Sequence, residues 1–222
     1  MRSILSTSAS ALGNSATSGR PLATGLVVTA LVATLAALLL PVQLFGETAS
    51  AAGNTVTYDD DGGGTVHTRH GPLTAMDRDF VRKVRLAGLW ELPAGRQAQA
   101  RGRTAAVRTA GDHLVAGHTE LDRRSVEAGR TLGIALANQP TPEQQGWLGQ
   151  LNSAADAEYP RLFAELLRRS HGKVFGLIAM VRDRTRNAMV RALADRANAV
   201  VLDHITVLEK TGQVDFDALH SS

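Results

Sequence analysis

Four stretches of the chain repeat apolar residues at steps of three and four, which is the spacing of one buried helix face. They predict long helices over about 75–101, 104–132, 159–184 and 187–210, with a shorter helix over about 141–152 between the second and the third. We find no long run of strand-type alternation. The pattern therefore predicts an all-α domain, an antiparallel four-helix bundle.

The ends of these helices carry residues that are typical of helix caps. Thr74 and Asp77 have the spacing of a capping box, and Thr104 is a suitable N-cap for the second helix. Gly133 is a typical C-terminal stop for that helix. Pro93 lies inside the first helix, where a proline is expected to cause a kink. Side-chain chemistry thus supports the boundaries that the periodicity predicts.

One polar residue falls on the apolar stripe of each long helix: Glu91, His118, His171 and His204. Burial of such groups is costly unless a partner satisfies them. Counted from the turns that join the helices in pairs, the two residues of each pair are offset by about 6 Å at the helical rise per residue. We therefore expect the four side chains to share one layer inside the bundle, which is how bundles build metal sites.

Three imidazoles and a carboxylate are suitable ligands for zinc, copper, iron or manganese. The chain contains no Glu-x-x-His sequence, which argues against the di-iron arrangement of helical bundles. Glu91 could equally accept hydrogen bonds from the imidazoles in a metal-free structural network, as in a cell-envelope structural or interaction protein. No residue pattern identifies a catalytic nucleophile, so the sequence leaves open whether the protein is an enzyme.

The first 51 residues have the features of an export signal. Leu22 to Leu40 is an uncharged apolar run of 19 residues, preceded by Arg2 and Arg20 and followed by Ala49-Ser50-Ala51. A small-residue site of this kind is typical of signal-peptide cleavage, whereas the length of the run also suits a retained membrane anchor. Both interpretations place the remaining chain outside the cytoplasmic membrane. Residues 52–72 are rich in Gly and Asp and predict a flexible linker, which leaves 73–217 for the helical domain.

Charge and cysteine content exclude several classes of function. The chain has 24 basic and 21 acidic residues, a net charge of +3 and no cysteine. Because arginines and acidic residues interleave along the predicted helices, they indicate a solvated, ion-paired surface rather than a nucleic-acid-binding patch. The absence of cysteine excludes disulfides, thiolate metal ligands and a cysteine nucleophile. Partners other than the membrane around the N-terminal segment are not indicated.

Six short segments of the chain form a recognisable set: Gly71-Pro72-Leu73, Asp77-Arg78-Asp79-Phe80, Trp90-Glu91, Gly117-His118, His171-Gly172-Lys173-Val174 and Leu202-Asp203-His204. Together they resemble an exported bacterial family, the domain of unknown function 4142, which is part of the ferritin-like helical superfamily. The resemblance covers about 72–217 and implies a ferritin-like bundle without an established activity. It also implies that the family's Glu and three His residues correspond to Glu91, His118, His171 and His204.

The chain departs from the family pattern next to two of these histidines. Gly117 and Ser170 occupy positions where family members often have aspartate, and Pro160 replaces an aspartate that is common near the start of the third long helix. Carboxylates that hydrogen-bond metal-bound imidazoles fix the orientation of the rings. We therefore expect fewer such carboxylates around the imidazoles of this chain.

Overall fold

The computed structural model of the protein describes residues 56–220, which are mostly helical. The predicted export segment over 1–51 lies outside the described residues. A hairpin precedes the helices, and the elements in chain order are β1 Val66–Thr68, β2 Gly71–Leu73, α1 Ala75–Arg101, α2 Ala105–Leu132, α3 Pro142–Ser153, α4 Tyr159–Arg184, α5 Ala188–Glu209 and α6 Phe216–His220. The four long helices and the shorter α3 agree closely with the sequence pattern, whereas the hairpin and α6 were not predicted.

Caps define the ends of the long helices. The Thr74 hydroxyl accepts a hydrogen bond from the Asp77 backbone N–H at 3.2 Å, and the Asp77 carboxylate accepts one from the Thr74 N–H at 2.9 Å. This is the reciprocal capping box that the sequence predicts. Thr104 caps α2, and Gly133 ends it with a left-handed φ of 69°. Helix α1 continues through Pro93 as a single helix.

Each long helix packs mainly against two others. Helix α1 lies along α2 and also contacts α4, while α5 lies along α4 and also contacts α2. The shorter α3 packs against α1 and α4. The apolar stripes of the long helices therefore meet in a common interior. Within residues 56–220, no helix combines the length and the apolar character that are needed to cross a bilayer.

The interior is divided into two apolar clusters. The first, which we call the hairpin-side cluster, includes Phe80, Leu121, Ile178 and Val201 together with Leu73 of β2. The second, the distal cluster, lies further from the hairpin and includes Trp90, Leu114, Leu167 and Leu208. On each long helix, the polar residue noted above lies between or next to the residues of the two clusters. The four helices thus bring their polar residues to the same level of the interior.

The second half of the predicted linker is a β-hairpin. Strands β1 and β2 pair antiparallel, with Val66 opposite Leu73. The His70 carbonyl accepts a hydrogen bond from the Ala188 N–H at 2.8 Å, and the Gly71 carbonyl accepts one from the Asn187 side chain at 3.2 Å. These bonds attach the hairpin to the start of α5. The linker expectation was therefore wrong for residues 66–72, because strands of three residues are too short to show a periodic pattern.

We predict that Gly71→Ala destabilises the protein by about 2–4 kcal/mol, because Gly71 has a φ of 101° and an added Cβ would lie 2.4 Å from the Arg186 carbonyl oxygen. Gly133→Ala is the matched control, since Gly133 also has a positive φ but an added Cβ would meet nothing within 4 Å. Gly133→Ala should lower the free energy of unfolding by only about 1 kcal/mol, through backbone strain. Urea denaturation measures both values, and equal losses would contradict the proposed attachment of the hairpin.

Candidate metal centre

The structure brings Glu91, His118, His171 and His204 together. One potential ligand atom from each lies within 4.8 Å of all the others. All four side chains are buried, with residue exposures between 0% and 3%. The sequence prediction that they share one layer is therefore confirmed.

Backbone carbonyls fix the proton positions on two of the imidazoles. His171 Nδ1 lies 2.8 Å from the Leu167 carbonyl oxygen, and His204 Nε2 lies 3.0 Å from the His113 carbonyl oxygen. Because a carbonyl oxygen can only accept, each of these nitrogens must be the N–H donor. In the neutral ring the other nitrogen then carries a lone pair. These free nitrogens are His171 Nε2 and His204 Nδ1.

The two free nitrogens face each other. His171 Nε2 and His204 Nδ1 are 2.9 Å apart. Two neutral imidazoles in these tautomers place lone pair against lone pair, so no hydrogen bond can form between them. A cation between the two nitrogens, either a proton or a metal ion, converts the contact into an attractive one.

Glu91 and His118 extend this group of acceptors. Glu91 Oε2 lies 2.7 Å from His118 Nε2 and 3.2 Å from His171 Nε2. Although these distances are short, neither Glu91 Oε2 nor either ring nitrogen of His118 is aligned in a hydrogen bond within the protein. Unsatisfied buried polar atoms are rare and point to a missing ligand such as an ion or water. Two nitrogens, of His171 and His204, and one carboxylate oxygen therefore converge with unused lone pairs. His118 adds a third nitrogen lone pair in the tautomer whose proton is on the other ring nitrogen.

Burial keeps the imidazoles neutral and makes the carboxylate easier to protonate. Desolvation lowers the pKa of His118 and of His171 to about 4, and that of His204 to about 3. Desolvation also raises the pKa of Glu91 to about 7, although His171 and the Ser170 side chain favour its charged form. At neutral pH the imidazoles are thus in the form that binds metal, and about half of the carboxyl groups are ionised.

The absence of a side chain at Gly117 lets His204 approach α2. A Cβ at Gly117 would lie 2.4 Å from His204 Nε2 and 2.7 Å from Val200 Cγ1. The presence of glycine at this position therefore has a steric reason. It lets the ring lie against the helix backbone, where His204 donates to the His113 carbonyl. In this chain, the backbone carbonyl of His113 orients the imidazole of His204.

Neighbouring residues are positioned outside the layer. The side chain of His113 is 40% exposed, and its Nδ1 lies 2.7 Å from Asp203 Oδ2, so this imidazole points away from the layer. Trp90 packs edge-on against Trp147 at a centroid distance of 4.9 Å. The orienting carbonyls of Leu167 and His113 were missed, because every residue has a carbonyl and no sequence signal identifies these two.

The donor set suits one transition-metal ion. Atoms that bind the same ion at about 2.1 Å lie about 3.0–3.4 Å from each other. Three of the six pairs, with separations of 2.7, 2.9 and 3.2 Å, are close to that range. All four ligand atoms lie within 4.8 Å of one another. Imidazole nitrogen and carboxylate oxygen are common ligands of zinc, copper, iron and manganese. The arrangement is thus compatible with metal binding.

We predict that Gly117→Ala lowers the free energy of unfolding by about 1–3 kcal/mol, although alanine favours helix over glycine by about 1 kcal/mol. The added Cβ would displace the His204 ring and break its bond to His113. Gly149→Ala in α3 is the matched control, because its Cβ would meet nothing within 4 Å. It should stabilise the protein slightly. Urea denaturation measures both effects, and equal stabilisation by the two substitutions would contradict the close approach at Gly117.

We predict that the metal-free protein loses stability as the pH falls from 7 to 5. The three histidines take up protons near pH 6.5 when unfolded but only near pH 3–4 when folded, so acid favours the unfolded state. Glu91 acts in the opposite direction, since its pKa is raised to about 7 in the folded protein. Because three histidines outweigh one carboxyl group, the free energy of unfolding should fall by on the order of 2 kcal/mol per pH unit near pH 5.

Urea denaturation in the presence of a chelator, repeated across this pH range, measures how the free energy of unfolding changes with pH. His118→Gln should reduce this change, because one of the three buried imidazoles is removed. A free energy of unfolding that stays constant between pH 7 and 5 would show that the histidines titrate alike in the folded and unfolded states.

A comparison with protein-family models matches residues 64–211 to the domain of unknown function 4142 (DUF4142). The matched segment contains both strands, all four long helices and every residue of the Glu/His layer. Neither the curated proteins nor the solved structures include a significant match to the chain. The family has no assigned function, so the geometry of the layer is the main guide to one. The chain belongs to the DUF4142 family.

Proposed function

We propose that this protein is an extracytoplasmic, ferritin-like four-helix-bundle protein that binds one transition-metal ion through Glu91, His118, His171 and His204. The ligand atoms are Glu91 Oε2, His171 Nε2, His204 Nδ1 and one ring nitrogen of His118. Zinc, copper, iron and manganese are all compatible with three imidazoles and a carboxylate. The proposal concerns binding and assigns no reaction.

The observation that carries the proposal is the contact between two acceptor nitrogens beside a buried carboxylate oxygen. His171 and His204 both use their only N–H on a backbone carbonyl, so their facing nitrogens, 2.9 Å apart, are lone pairs. Glu91 Oε2 lies against His118 and His171 without an aligned hydrogen bond. One metal ion at the centre satisfies all these contacts at once.

A metal-free network is the competing explanation. The raised pKa of Glu91, about 7, allows the carboxyl group to hold a proton and donate it to one imidazole. That single proton satisfies either His118 or His171 but leaves the contact between His171 and His204 without a donor. A purely structural layer would therefore need a second proton, on His171 or His204, and burial opposes it because it lowers the pKa of His171 to about 4 and that of His204 to about 3. The contact between His171 and His204 therefore favours metal binding over a metal-free network.

The location outside the cytoplasm follows from the N-terminal segment. Its 19-residue apolar run, preceded by two arginines, is typical of an exported protein that is either cleaved or anchored. Imidazole and carboxylate ligands do not depend on reduced cysteine, so a site built from them is suitable for an oxidising compartment. The packing of α1, α2, α4 and α5 around a shared interior supports the four-helix bundle.

We predict that the purified full-length protein binds about one equivalent of at least one of Zn²⁺, Cu²⁺, Fe²⁺ and Mn²⁺, and that a chelator lowers its melting temperature. Each metal is added separately under conditions that keep its oxidation state. Elemental mass spectrometry measures the metal content after dialysis. His204→Ala should lose the metal because it removes one ligand and the ring that faces His171.

Two further variants separate metal binding from structural effects. Glu91→Gln keeps the shape of the side chain, so it should leave the metal-free protein folded while weakening metal binding. His113→Ala removes an imidazole that points to the surface and should retain the metal. Equal metal content in wild type, His204→Ala and Glu91→Gln would refute the proposal, as would a protein that binds none of the four ions.

A further inference from the structure

A small cavity adjoins the Glu/His layer on its hairpin side. It is lined by Glu91, His118 and His171 and by seven apolar residues from all four long helices. Val84, Leu121 and Ile178, which belong to the hairpin-side cluster, are among them. The space accommodates about one water-sized molecule. Three of the four proposed ligand residues thus border a space that is open to a small molecule.

The two sides of the layer differ in packing. On the distal side, Leu114, Leu167 and Leu208 are completely buried and fill the interior. His204 does not line the cavity, whereas the other three ligand residues do. A metal ion held by the four side chains would therefore be accessible from the hairpin side. Iron, manganese and copper commonly bind more than four ligands, so this side can supply a further coordination position.

We infer that a metal ion bound in this layer takes an uncharged diatomic molecule as an additional ligand, held in the apolar cavity between Val84, Leu121 and Ile178. The inference rests on the proposed metal-binding function and specifies the ligand class of that same site. The size of the cavity excludes organic substrates. Its seven apolar residues offer no side-chain hydrogen bond to an anion, and burial without such bonds is unfavourable.

The partly exposed residues of the cavity lining lie on α1 and α4. Among the apolar lining residues, Ala87 of α1 and Val174 of α4 are only partly buried, while the other five are buried. A small molecule would therefore enter at this helix pair, past these two side chains. A diatomic molecule can pass them with minor side-chain motion, which is on the picosecond-to-nanosecond timescale for exposed residues.

Nitric oxide is a suitable probe, because it is an uncharged diatomic molecule and its adduct with high-spin ferrous iron has a characteristic electron paramagnetic resonance signal. The full-length protein is loaded with Fe²⁺ under anaerobic conditions, its iron content is measured, and nitric oxide is then added. We expect the iron–nitrosyl signal to account for most of the bound iron. Iron that is retained without such a signal would overturn the inference and leave the proposed function intact.

Variants that fill the cavity test where the ligand binds. Ala197→Leu and Ala87→Leu add bulk to two lining positions, and neither residue belongs to the proposed metal ligands. Both should retain iron and lose the nitrosyl signal. Because Ala87 is only partly buried, its variant should fold even if the more buried Ala197 variant does not. Ala116→Leu, an exposed position on α2, is the matched control and should retain both iron and signal.

The outcomes are distinguishable. A full nitrosyl signal in wild type, Ala87→Leu and Ala197→Leu alike would show that the ligand binds elsewhere and would overturn the inference. A protein that binds no Fe²⁺ and none of the other three ions would overturn the proposed function and the inference together.

Discussion

The contact between His171 Nε2 and His204 Nδ1, 2.9 Å apart in the interior, constrains the rest of the layer. Each ring donates its N–H to a backbone carbonyl, so the rings cannot donate to each other. The same carbonyls hold the two nitrogens at the centre, where Glu91 adds a carboxylate oxygen 3.2 Å from His171. Backbone hydrogen bonds thus impose a cluster of acceptors that requires a cation for its full satisfaction.

The surrounding fold maintains this cluster of acceptors in the interior. Apolar clusters on both sides of the layer exclude water, which lowers the pKa values of the histidines and raises that of Glu91. The same desolvation keeps the imidazoles neutral and available for binding at neutral pH. Gly117 contributes by its lack of a side chain, because any Cβ there would collide with His204. Packing, protonation and ligand geometry therefore depend on each other.

The main elements of the fold could be predicted because their signals are local. The capping box of Thr74 and Asp77 and the αL stop at Gly133 are set by side chains within a few residues. The β-hairpin was missed because its strands are short and depend on partners at the start of α5, over a hundred residues away, such as Asn187. The apolar stripes likewise indicated Glu91, His118, His171 and His204, since a polar residue there must be buried.

The helices, their buried faces and the four polar residues are encoded locally, because helical periodicity and capping depend on neighbouring residues. Which ring nitrogen faces the centre depends on the packing of the helices, since the tautomers are set by the carbonyls of Leu167 and His113. The same packing also decides which side of the layer remains open, because the fit of the two apolar clusters depends on how four separate helices pack. These features arise from contacts between distant parts of the chain, which no local pattern encodes.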